Sequence, residues 1–244
     1  MKEAIYSTRR VLLLSSSTIF GRGYLDHAEA EIRDFLGATA RMLFVPFALH
    51  DHAGYATRTQ ARYARMGMEV ESLHVSSDYQ KAVANAEAIF IGGGNTFRLL
   101  KALYDLDLLA AIRARVEGGM PYIGTSAGSN VAGLTIRTTN DMPIVEPPSF
   151  NALGLVPFQI NPHYVDADPD STHMGETREE RIVQFLEENE TPVLGLREGA
   201  IARVEGHSVV IKGEAGARLF RRQHDPEEIA GNSEIGPLVL ARPS

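Results

Sequence analysis

The sequence predicts an α/β fold around a mostly parallel sheet, and three observations carry that prediction. Short apolar runs of strand length recur from residue 11 onward, separated by stretches with helical apolar spacing. Several of these runs stop at glycines directly before the next helical stretch, as strands of a parallel sheet do when they turn into a crossover helix. The 244 residues, 44% of them hydrophobic, suffice for one large core. A single domain over 1–244 is therefore expected, with 1–10 as a loose N-terminal end.

Taken in order, Val11 to Ser15 reads as a buried first strand. Gly21 and Gly23 break the chain before a helix from Leu25 to Leu36, closed by Gly37. Met42 to Phe47 is a second strand, and a loop with His50, Asp51 and His52 leads into a helix from Ala56 to Met66, ended by Gly67. Met68 to His74 is a third strand. A short helix over Tyr79 to Asn85 precedes a strand, Ala88 to Ile91, that runs into Gly92-Gly93-Gly94-Asn95-Thr96. Asn95 or Thr96 caps the next helix, whose apolar positions are Phe97, Leu99, Leu100 and Leu103. A helix from Leu108 to Glu117 leads to a strand ending at Gly124, and the helix behind it is expected to reach about Leu134.

Beyond that helix, Arg137 to Pro143 is too polar for a core element and reads as a loop at the sheet rim. Phe158 to Ile160 is a strand ending in Asn161-Pro162-His163. Thr177 to Asn189 is a helix with a capping box, Thr177 and Glu180, and a core stripe of Ile182, Phe185 and Leu186. Val193 to Leu196 is a strand, Ala200 to Glu205 and Ser208 to Lys212 form a hairpin about Gly206-His207, and the charged tail beyond Arg221 is expected to end the fold.

Composition narrows the chemistry. The net charge is −7 with no run of Lys and Arg, which speaks against nucleic acid and anionic membranes, so an anionic substrate would need a local basic patch. No cysteine is present, so disulfides, thiolate metal sites and cysteine nucleophiles are excluded. Val11-Leu12-Leu13-Leu14 is too short for a signal-peptide core or a membrane span, and the expected location is the cytoplasm.

The stretch Gly124-Thr125-Ser126-Ala127-Gly128 has the G-x-S-x-G pattern of a nucleophile elbow, in which a strained turn lifts the serine above the sheet. The Ala127 amide, at a helix N-terminus, then points at any anion forming over Ser126, and the Gly92–Gly94 run offers a second amide from a neighbouring strand end. The same glycine run matches no phosphate-binding pattern. Ser126, Asp141 and His163 together supply nucleophile, orienting acid and base, each expected at a strand end or rim loop of one sheet. Arg178 is placed against its helix dipole on the side leaning toward Ile182 and Phe185, which marks it either as a cation for substrate or as a snorkelling side chain. Two histidines in one loop, His50 and His52, are a weak metal signal, and no metal is expected.

Five stretches resemble peptidase E, the α-aspartyl dipeptidase family of serine peptidases: Ile91 to Phe97, Tyr122 to Asn130, Ile136 to Val145, Gln159 to His163 and Gly175 to Arg178. The resemblance implies a three-layer α/β/α fold like that of class I glutamine amidotransferases, a flavodoxin-like arrangement. It also implies hydrolysis of dipeptides with an N-terminal aspartate and no cofactor. Carried over by motif, Ser126 is the nucleophile, His163 the base and Asp141 the third member, with the Gly94 and Ala127 amides as oxyanion hole. Arg178 is the first choice for the substrate's side-chain carboxylate, with Asn95 and Glu198 as further substrate-binding candidates; Glu198 competes with Asp141 as the triad acid. Thr125 stands where some members have tryptophan. A cyanophycinase-like β-aspartyl peptidase and a silent binder of acidic metabolites are the alternatives on the same scaffold. The expected assembly is a monomer or small homo-oligomer.

Overall fold

Strand β1 (Arg10–Leu14) sets the layers, because Val11, Leu12, Leu13 and Leu14 are all fully buried. Successive strand residues face opposite sides of a sheet. Accordingly Val11 and Leu13 join one apolar core, and Leu12 and Leu14 the other. Each such side chain contributes about 1.5–3 kcal/mol of burial, so β1 is anchored from both faces. The computed structural model describes residues 8–170, 172 and 174–240.

Five parallel strands form the heart of the main sheet, in the order β3 (Glu69–Ser72), β2 (Arg41–Val45), β4 (Ile89–Ile91), β5 (Tyr122–Thr125), β1. The hairpin β8 (Ile201–Glu205) and β9 (Ser208–Lys212) continues it antiparallel beyond β1. Helices α1 (Glu29–Leu36) and α2 (His52–Arg65) cover one face through Ile32, Phe35 and Tyr63. Helices α3 (Tyr79–Asn85), α4 (Thr96–Asp105) and α5 (Leu108–Glu117) cover the other through Val83, Leu100 and Ile112. The result is the three-layer α/β/α arrangement.

A second sheet was not anticipated. Its order is β11 (Glu227–Ile229), β10 (Ala217–Phe220), β7 (Val193–Arg197), β6 (Gln159–Tyr164), with β6 and β7 parallel. Ile160, Leu194 and Leu196 of this sheet enter the same core as α4 and α5. Helix α7 (Arg178–Glu188) packs Ile182 and Leu186 on Tyr164, Val193 and Phe220. Its capping box forms as expected, with Thr177 Oγ1 accepting from the Glu180 amide and the Glu180 carboxylate accepting from the Thr177 amide.

Three expectations need correction. Thr8 to Arg10 are built in, with the Thr8 hydroxyl donating to Glu117 O and the buried Arg9 guanidinium 2.6 Å from the Glu117 carboxylate; residues 1–7 lie outside the described residues. The chain beyond Arg221 does not end the fold. It supplies β11 and α8 (Gly236–Val239), burying Ile229, Ile235 and Val239. The helix behind Ser126, α6, spans only Ala127–Asn130, and tighter turns follow in which the amides of Ala132 and Gly133 reach back three residues. Among the described residues no helix is long and apolar enough to cross a membrane.

Candidate active site

Between β5 and α6 the turn leaves Ser126 alone at φ 50° and ψ −107°. Such a conformation costs an L-residue on the order of 1–3 kcal/mol and persists only where its surroundings enforce it. The Ser126 amide donates to Leu14 O at 3.0 Å, and Ser129 Oγ lies 2.7 Å from Leu14 O and 2.9 Å from Gly124 O. A Cβ on Gly124 would stand 2.5 Å from Gly128 O, and one on Gly128 only 2.1 Å from Ile91 O. Both glycines are therefore required by close backbone approach, and together these contacts fix the serine at the sheet rim.

His163 reaches Ser126 from the second sheet. The β6–β7 ladder pairs Asn161 with Gly195 but Tyr164 with Arg197, so β6 carries one extra residue, and His163 takes up the distortion at φ 53°. Bulges of this kind re-aim a side chain. The His163 amide donates to Ser15 Oγ at 2.9 Å, and that hydroxyl donates to Leu196 O at 2.8 Å. Ser15, fully buried just beyond β1, thus ties the bulge to both sheets. In consequence His163 Nε2 lies 3.0 Å from Ser126 Oγ. Its Nδ1 lies 2.8 Å from Glu198 Oε1. Glu198 sits in a tight turn after β7, closed by the Ala200 amide on Arg197 O and by Gly199 at φ 85°.

The glycine loop after β4 lies against the serine, since a Cβ on Gly93 would stand 3.1 Å from Ser126 Cβ. Gly94 has φ 138°, and a Cβ there would meet Ala48 O at 2.5 Å. Among the described residues neither the Gly94 nor the Ala127 amide donates to a protein acceptor.

Residues 11–212 match the family model described as Peptidase family S51. The chain belongs to this family. It is 56% identical over 232 residues to a Streptomyces coelicolor protein named Peptidase E, covering 95% of this chain and 96% of that one. It is 49% identical over 236 residues to a Drosophila melanogaster protein named "Probable alpha-aspartyl dipeptidase", covering 96% and 98%. Its fold is similar to the crystal structure of a peptidase from an acI-B1 Actinobacterium, with a TM-score of 0.69 at 16% identity, covering 93% of this chain and 96% of that chain.

In this S51 chain Asp141 does not face His163. Its carboxylate accepts from the Thr96 amide at 2.7 Å, capping the first turn of α4 from outside. The rim loop does fold over the strand end of His163, but through its neighbour: Asn140 donates to Pro162 O and accepts from Asn161. Asn95 is also committed to structure, its side chain accepting from the Arg98 amide and donating to Met142 O. Arg178 is half-buried and makes no hydrogen bond or ion pair among the described residues. Burial, then the neighbouring Arg181, push its pKa down, while the Asp141 carboxylate opposes them. By contrast Arg197 is saturated by Asp166 and Glu228. Sequence reasoning missed Ser15 altogether, because Ser15-Ser16-Ser17 looked like no more than the end of an apolar run.

Proposed function

We propose that this chain is a serine dipeptidase that hydrolyses Asp-X dipeptides through Ser126, His163 and Glu198. The observation that carries the reading is the imidazole of His163 held between a serine hydroxyl at 3.0 Å and a carboxylate at 2.8 Å. Glu198, accepting from Nδ1–H, selects the tautomer in which Nε2 is the base. His163 takes the Ser126 proton as Oγ attacks the aspartyl carbonyl. The oxyanion is held by the Gly94 and Ala127 amides, which cost no reorganisation because the fold has already fixed them. His163 then protonates the departing amine, and water attacks the aspartyl ester with the same residue as base.

Arg178 takes the substrate's side-chain carboxylate. A half-buried guanidinium without an ion-pair partner gains most from a bound carboxylate, and Asp141 beside it keeps the empty site from being a bare cation. The name of the Drosophila melanogaster relative supports aspartyl specificity. The enzyme works on free peptides in the cytoplasm, without cofactor and without nucleic acid, in keeping with its net charge of −7. The test is a panel of Asp-X, Asn-X, Glu-X and β-Asp-X dipeptides. Asp-X should be turned over best by a wide margin, and a preference for β-Asp-X or inertness toward all four would overturn the reading.

A further inference from the structure

In an acidic protein, three histidines and an arginine gather at one corner beside the glycine loop. His52, at the first position of α2, lies edge-on to Phe47 with ring centroids 5.3 Å apart, and 6.0 Å from the ring of His74. The largest side-chain charges acting on it are those of His74, His50 and Arg98. Asp51, next in sequence, is turned away to accept from the Gly54 amide and cap α2. Arg98 makes no ion pair among the described residues, and its amide is held by the Asn95 side chain just past Gly94. These groups are not disposed to hold a metal: no cluster of three or more metal-ligating side chains occurs among the described residues.

The corner adjoins the reaction centre. Ser126 follows β5, Gly94 follows β4, His50 and His52 follow β2, and His74 follows β3, four neighbouring parallel strands that all end on one edge. The Asn95 amide donates to Ala48 O at 2.9 Å, and Gly94 abuts Leu49, so the loop carrying His50 and His52 is fastened to the glycine loop. Two strand spacings of about 4.8 Å each separate the end of β5, where Ser126 stands, from the end of β2. A single residue of extended chain covers about 3.5 Å. A residue leaving from an acyl group on Ser126 spans part of that distance toward the corner, and α4, which carries Arg98, begins at the end of the intervening strand β4. The centre is distinct from Arg178, whose charged neighbours are Arg181 and Asp141.

Resting on the dipeptidase reading above, we propose that Arg98, together with the imidazoles of His50, His52 and His74, forms the subsite for the free α-carboxylate of the leaving residue. A dipeptidase has to distinguish a terminal carboxylate from a continuing peptide bond, and an unpaired cation does so because an amide leaves it without a counter-charge. His52 contributes a ring nitrogen, and Arg98 contributes the permanent charge.

The experiment measures kcat/KM of the wild type, Arg98→Gln and His52→Gln on Asp-Leu and on Asp-Leu amide, with labelling of Ser126 by an uncharged fluorophosphonate as a check of the folded site. The wild type should prefer the free acid by at least about 30-fold, the scale of one charge-assisted hydrogen-bonded pair. Arg98→Gln should cut that preference to about threefold or less by raising KM for Asp-Leu. His52→Gln should move the preference the same way by a smaller factor. A wild type that cleaves the amide as well as the acid would overturn the subsite, as would equal losses on both substrates in both variants. A wild type inert toward both peptides would instead overturn the dipeptidase reading, and the subsite with it.

Discussion

Replacing Glu198 by glutamine removes the charge that faces the His163 imidazolium and leaves the shape of the side chain intact. Two unit charges about 4 Å apart attract by about 1 kcal/mol in water and about 4 kcal/mol at an effective dielectric near 20. The His163 and Glu198 side chains are 40% and 54% exposed, which places the pair between these limits. The amide adds a second cost, since it can present N–H to Nδ1 and so favour the tautomer that cannot accept the Ser126 proton. At about 1.36 kcal/mol per decade, the two effects together should lower kcat by about 10²- to 10³-fold. A fully buried triad acid would lose more, about 10⁴-fold. In Asp141→Asn, by contrast, the amide oxygen still accepts from the Thr96 amide, and only a helix-terminal charge worth about 0.3–1 kcal/mol is lost. Its kcat should stay within about fivefold of wild type. The assay is leucine release from saturating Asp-Leu, with circular dichroism to confirm folding. Near-normal turnover in Glu198→Gln beside collapse in Asp141→Asn would refute the assignment.

Other substitutions probe separate parts of the site. Ser126→Ala should retain its fold and lose about 10⁴-fold or more in kcat, whereas Ser126→Gly should also raise Tm, because glycine adopts φ 50° without strain; a fall in Tm would show that the elbow is not strained. Gly128→Ala forces a methyl within 2.1 Å of Ile91 O and should destabilise the protein by roughly 2 kcal/mol or more, as read from chemical denaturation. Arg178→Met should reduce kcat/KM on Asp-X by about 10²-fold while leaving residual Asn-X activity within about threefold; equal losses on both would make Arg178 structural.

The elbow was legible because its requirements are local. A strand, two glycines and a small-residue turn all fall within ten residues, and close backbone contacts at Gly124 and Gly128 explain why nothing larger is found there. The alternating elements of the main sheet were legible for the same reason, since each strand and its crossover helix carry their own apolar pattern. What the sequence did not disclose was how distant segments pair. His163 and Glu198 meet only because β6 and β7 are parallel neighbours with a one-residue bulge, and no local signal announces that register. Asp141 looked available in a polar loop, yet a carboxylate near the N-terminus of α4 is drawn to the unpaired Thr96 amide. Glu198 follows a strand end and precedes Gly199, a place that in the sequence is equally consistent with binding the substrate's ammonium or capping a turn, so it competed with Asp141 without displacing it. Ser15 was invisible because its role is to join two backbones far apart in sequence, and a lone serine after a strand carries no pattern.

The account stands or falls on an acyl-enzyme formed at Ser126. Wild-type protein mixed with an activated aspartyl ester and quenched in acid within the first turnover should carry one aspartyl group, located by mass spectrometry on the peptide containing Ser126 and absent from Ser126→Ala. Steady turnover of Asp-Leu by Ser126→Ala, or an aspartyl adduct on any other residue of the wild type, would contradict it.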